Sequence, residues 1–145
     1  MKIRILVSLV ALGFASWATA IDESIDTILK VGKEGQGNQE ASAAWQKLSA
    51  GTMEDLPKIL GKMSDANPLA ANFLRSAIDT IVQRESAAGK ELPVAQVGDL
   101  LLDTRQNPKA RHLAFQLIEQ SNPDAAAKLI PGLLNDPSTH LRRGA

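Results

Sequence analysis

Asn67-Pro68-Leu69-Ala70-Ala71-Asn72-Phe73-Leu74-Arg75-Ser76-Ala77-Ile78-Asp79-Thr80-Ile81-Val82 is the stretch that decides the fold. Leu69, Phe73, Leu74, Ala77, Ile78, Ile81 and Val82 return every three or four residues, the rhythm of a helix with one apolar face. Asn72, Arg75, Ser76, Asp79 and Gln83 fall on the opposite, solvated side. Pro68 stands where a helix first forms and a missing amide matters least. Gly89 supplies the stop.

The same grammar extends in both directions. Upstream, Thr52-Met53-Glu54-Asp55 is a capping-box pattern that opens a helix with Met53, Leu56, Ile59, Leu60 and Met63 inward. Before it, a helix from Asp22 to Val31 ends in a loop with three glycines between Gly32 and Asn38, and Asn38 is expected to cap a helix running through Ala41, Ala44, Trp45 and Leu48 to Gly51. Downstream, Pro93 to Asp103, Lys109 to Gln120 and Asp124 to Leu134 are read as helices, separated by Asn107-Pro108 and Ser121-Asn122-Pro123. Asn135-Asp136-Pro137 introduces a short last helix. That makes eight helical segments and no strand. Aromatic residues are only 3% and there is no tyrosine, which also argues for helix packing rather than a sandwich or barrel.

Sliding the chain on itself by 40 residues lays Pro57–Asp79 over Val97–Glu119. Leu60 falls on Leu100, Asn67-Pro68 on Asn107-Pro108, Ala70 on Ala110, Phe73 on Leu113 and Ile78 on Ile118. A shorter third copy is Leu129-Ile130-Pro131-Gly132-Leu133-Leu134, then Asp136-Pro137 and Leu141-Arg142. This pattern resembles HEAT repeats, with their Leu-Pro-x-x-Leu-like first helix, Asp-Pro turn, and apolar residue followed by Arg and, three on, Ala. Leu56-Pro57-Lys58-Ile59-Leu60, Ile130-Pro131-Gly132-Leu133-Leu134, Asp136-Pro137, Leu141-Arg142 and Ala145 carry the match; the Asn-Pro turns and the placing of Arg75 and Arg111 depart from it. The resemblance implies an all-α fold of antiparallel helix pairs stacked as a short α-solenoid, covering residues 52–145, with 21–51 as an N-terminal capping pair. A closed antiparallel bundle with similar turns is the alternative. Because the last helix is about two turns long and Leu133, Leu134 and Leu141 have no following helix, the final repeat is expected to be truncated.

Residues 1–20 read as an address. Met1-Lys2-Ile3-Arg4 is a basic start, Ile5 to Phe14 an apolar run, and Ala18-Thr19-Ala20 the small residues a signal peptidase requires, so cleavage is expected after Ala20. The run is too short to span a bilayer unaided, although an uncleaved anchor extended by Ser16 and Trp17 is the competing reading. Either places the remainder outside the cytoplasm, periplasmic or extracellular. Without cysteine there is no disulfide, thiol nucleophile or lipidated cysteine. Net charge is zero for the whole chain, and about −2 after loss of Lys2 and Arg4, so charge gives no pull toward nucleic acid.

The sequence offers no catalytic constellation. His112 and His140 lie 28 residues apart with no ligand at helical spacing, and His112 reads as a solvated surface residue. Asp99 and Asp103 share a helix face but read as its solvated side. No serine occupies a Gly-x-Ser-x-Gly elbow, and Gly35-Gln36-Gly37 lacks the lysine of a phosphate loop. Arg75, Arg111, Arg142 and Arg143 could form an anion-binding ladder, or make structural contacts to turns, such as Asp136 with Arg142. No catalytic, cofactor or metal site is therefore expected, and binding residues cannot be named from spacing alone. The expected function is a non-enzymatic exported scaffold for protein or peptide partners. An accessory helical module of a larger secreted enzyme or carbohydrate-active protein, and a chaperone-like helical bundle, are the alternatives.

Overall fold

A computed structural model describes residues 19–144, and among them there are eight helices and no strand. These are α1 over residues 19–29, α2 (Asn38–Ser49), α3 (Leu56–Lys62), α4 (Pro68–Ala87), α5 (Val94–Leu102), α6 (Pro108–Ser121), α7 (Pro123–Leu133) and α8 (Thr139–Gly144). The basic start and apolar run of the expected signal lie outside the described residues, as does Ala145. The expected cleavage point falls inside α1: residues 19 and 20 are already helical, and the Ser24 hydroxyl donates to the Ala20 carbonyl at 2.8 Å.

Three Asn-Pro steps start helices in the same way. Asn67 Oδ1 accepts from the amides of Leu69 and Ala70, Asn107 Oδ1 from Lys109, and Asn122 Oδ1 from Ala125, all at 2.8–3.0 Å. Each satisfies amides that the first helical turn leaves without partners, and proline follows where it removes no bond. The capping box before α3 is formed: the Thr52 amide donates to Asp55 Oδ2 at 2.8 Å, and a 3₁₀ turn at Met53–Asp55 leads into the helix. At the end of α4, Gly89 has φ +75° and the Lys90 amide closes back on Glu85 at 2.9 Å, the left-handed stop that glycine accepts without strain.

Several boundaries differ from the sequence expectation. Asn38 does not cap α2 but is its first residue; Gly37, with φ +74°, takes the capping place because it reverses the chain left-handedly. α5 stops at Leu102, so Asp103 lies in the following turn. α8 begins at Thr139, two residues beyond Pro137, and Pro131 is accommodated inside α7.

Burial also sharpens the repeat. Ala70 and Ala110, Leu74 and Ala114, and Ile78 and Ile118 are all fully buried pairs related by 40 residues. In the preceding helices the buried matches are Leu56 with Val97 and Leu60 with Leu101, a shift of 41, so Leu60 corresponds to Leu101 and not to Leu100. The helix runs one residue less past Leu101 than past Leu60 before a turn of the same length, which accounts for the offset. In α4 the contact runs through Ala70, Leu74, Ala77, Ile78 and Ile81; Leu69 is exposed, and Phe73 and Val82 are half-buried. Small residues on the inner line let α4 approach its neighbours closely, and the larger apolar side chains pack along the flanks.

One apolar core joins residues from all eight helices, from Ile21 to Leu141. α2 packs on α4; α3 on α4, α5 and α6; α5 on α6 and α7; α6 on α7 and α8. Each fully buried Leu or Ile contributes about 1.5–3 kcal/mol relative to exposure.

Candidate interaction surface

The turns that join α1 to α2, α3 to α4, α5 to α6 and α7 to α8 are linked in succession. Asn67, while capping α4, donates its Nδ2 to the Val31 carbonyl at 2.6 Å. The Asn107 amide donates to the Ser64 hydroxyl oxygen at 3.0 Å. Arg111, in the first turn of α6, reaches Asp136 in the α7–α8 turn. Each link spans 25 to 43 residues of sequence. One edge of the fold is therefore a row of turns held together by polar side chains.

Arg111 and Asp136 form the most heavily buried link, with 1% and 4% of their surfaces exposed. Arg111 Nη1 donates to Asp136 Oδ1 at 3.1 Å, Nη2 pairs with Oδ2, and Nε donates to the Leu101 carbonyl at 2.7 Å. The two-pronged contact matches the planar guanidinium to the carboxylate. Asp136 Oδ1 also accepts the Ser138 amide at 2.8 Å, and Arg142 donates to the Asp136 main-chain carbonyl. Hydrogen bonding from Arg111 chiefly, with the Ser138 amide and the charges of Arg111 and Arg142, holds the Asp136 carboxyl below its ordinary pKa against the opposing effect of burial.

The anion-binding ladder is not assembled. Arg75 is spent on Asp79, 3.8 Å away on the same helix, and Arg111 is sealed inside the protein. The expected contact of Arg142 to the Asp136 turn exists, but to the carbonyl; the carboxylate belongs to Arg111. Asp99 and Asp103 are not a helix-face pair, because Asp103 turns away to receive the Arg105 amide at 3.1 Å and its guanidinium Nε at 2.8 Å. Those bonds hold the Asp103 carboxyl well below the usual carboxylate range. His112 is half-buried rather than solvated, and its ring lies 6.4 Å from that of His140. Gly35-Gln36-Gly37 stays in the α1–α2 turn, where Glu34 carries a φ of +57°.

Beside the turn edge, Leu102 at the end of α5 and Leu134 just past α7 are 45% and 55% exposed. A Cβ added at Gly132 would meet Leu102 Cδ2 at 3.4 Å, so Leu102 lies against the end of α7, two residues before Leu134. Arg105 precedes one neighbouring helix, and Arg142 and Arg143 lie in the other. Within the described residues these last two arginines have no carboxylate within ion-pair distance, unlike Arg75, Arg84, Arg105 and Arg111. Exposed leucines at neighbouring helix ends suit contact with another macromolecule, because burying them removes apolar surface from water. The sequence signal for this surface was faint: an apolar residue one step past each inward-facing stripe.

Comparison with known proteins finds no matching family model, no similar curated protein and no similar solved structure.

Proposed function

We propose that this chain is an exported, non-enzymatic HEAT-like scaffold that holds a protein partner along the turn edge. The observation that carries this reading is the succession of links along the turn edge, Val31 to Asn67, Ser64 to Asn107, and Arg111 in the first turn of α6 to Asp136. A solenoid passes its core from one pair to the next and aligns equivalent turns along one side, whereas a closed bundle has no need of such a row. The packing of α3 on α5, α5 on α7, and α6 on α8 supports the same arrangement. Export rests on the basic start, apolar run and Ala18-Thr19-Ala20 of the sequence.

On this reading Leu102 and Leu134 are the apolar contacts, and the positive charge of Arg143 on α8 favours an acidic partner. Site-specific photo-crosslinkers at Leu102 and Leu134, in the cell that makes the protein, test it directly. A discrete protein adduct is expected from both positions and from neither Glu54 nor Ala95, which are exposed elsewhere. Equal labelling from all four positions, or none from the leucines in correctly folded protein, would overturn the surface assignment. Small-angle scattering tests the shape separately, since a solenoid is more elongated than a bundle of equal mass.

A further inference from the structure

We infer that His112 and His140 form a surface site for a late first-row divalent metal ion, Cu²⁺ foremost, that ties α8 to α6. Twenty-eight residues of sequence separate them, yet the fold sets their rings 6.4 Å apart, centre to centre, inclined at 49°. An imidazole nitrogen binds such an ion at about 2.0–2.1 Å, placing each ring centre about 3.2 Å from the metal. Two rings on one ion then have centres about 5 Å apart in a tetrahedral arrangement and about 6.4 Å apart when opposite one another. The observed spacing is at the top of that span, and His140 is exposed on a six-residue helix, so a small side-chain rotation brings it within the range.

The rings are uncommitted. Nδ1 of His112 is sealed from solvent, so Nε2 is the nitrogen left to meet an ion whose other positions are open to water. At Gly144 an added Cβ would lie 3.8 Å from His112 Cε1, so the following turn of α8 crowds the ring with no more than backbone. With two protein donors the remaining positions belong to water, and no cluster of three ligating side chains exists among the described residues. Imidazole ligands suit Cu²⁺, Ni²⁺ and Zn²⁺, and the general affinity order puts Cu²⁺ highest. The charges nearest the rings in sequence are Lys109 and Arg111 on α6, the latter paired with Asp136, and Arg142 and Arg143 on α8; the unpaired cations weaken cation binding without removing the donors.

Titration of the purified full chain with Cu²⁺ alone, followed by electron paramagnetic resonance, tests the inference. One equivalent is expected to bind saturably with hyperfine structure from two imidazole nitrogens, and to raise the unfolding temperature. His140→Gln, which alters only an exposed side chain, and His112→Gln should each weaken binding by about tenfold or more, the scale on which even outer-shell losses act. Circular dichroism of each variant without metal separates lost ligation from lost folding. A spectrum with one nitrogen or none, or affinity unchanged in His140→Gln, overturns the site. This outcome is independent of whether a protein partner is found at Leu102 and Leu134.

Discussion

Breaking the Arg111–Asp136 pair from either side should destabilise the fold far more than removing both partners together. In Asp136→Asn the amide oxygen can still receive the Ser138 amide, so the turn survives, but the Arg111 cation is left buried without an anion. In Arg111→Met the volume is roughly kept, the Asp136 carboxylate loses two donors and the Leu101 carbonyl loses its own. Removing one member of a buried pair costs about 3–5 kcal/mol, because the survivor keeps its desolvation penalty. For a chain of this size each kcal/mol corresponds to about 3–4 °C, so each single variant should melt about 10 °C or more below the parent. The double variant buries neither charge and should recover about 2 kcal/mol or more relative to the sum of the singles, an interaction term at the upper end for contacting residues. Urea unfolding followed by far-UV circular dichroism on all four proteins gives the cycle. The reasoning fails if either single variant costs less than about 1 kcal/mol, or if the two costs add to within about 0.5 kcal/mol.

Because the Asp136 pKa lies below its ordinary value when folded, the pair's contribution is complete above the ordinary aspartate range and is lost as pH falls through the folded value. Stability of the parent should therefore drop more steeply than that of Arg111→Met as pH is lowered below about 4, which acid titration of the unfolding midpoint measures. Asn67→Ala removes the cap of two α4 amides and the link to the Val31 carbonyl, and should cost about 1–2 kcal/mol in chemical unfolding. Gly89→Ala introduces a side chain at φ +75° where nothing lies within 4 Å, so its cost should be purely conformational, about 1 kcal/mol, with no change in the denaturant slope.

The secondary structure was legible because its causes are local. The spacing of Leu74, Ile78 and Ile81, the capping box at Thr52 and Asp55, and the Asn-Pro steps act within a turn or two of themselves. The errors arose where neighbours compete: Gly37 displaced Asn38 as a cap because backbone reversal took precedence, and Leu69 faced water because Ala70 allowed closer approach. The repeat shift of 40 or 41 depended on how far the first helix of each pair runs past its last buried leucine, which alters the register of buried positions while leaving their periodicity intact.

By itself the sequence determined that the described chain is helical, where most helices begin and end, and which residues supply most of its core. What only the tertiary structure decided is where the polar groups meet. Arg111 looks like any surface arginine until α7 and α8 fold over it and exclude water, which turns a weak exposed cation into one that must have Asp136. His112 and His140, 28 residues apart in sequence, become neighbours only when α6 and α8 pack together. Helical periodicity is written in bonds spanning four residues; ion pairs and imidazole pairs depend on distances in space, which the packing of α6 against α7 and α8 sets.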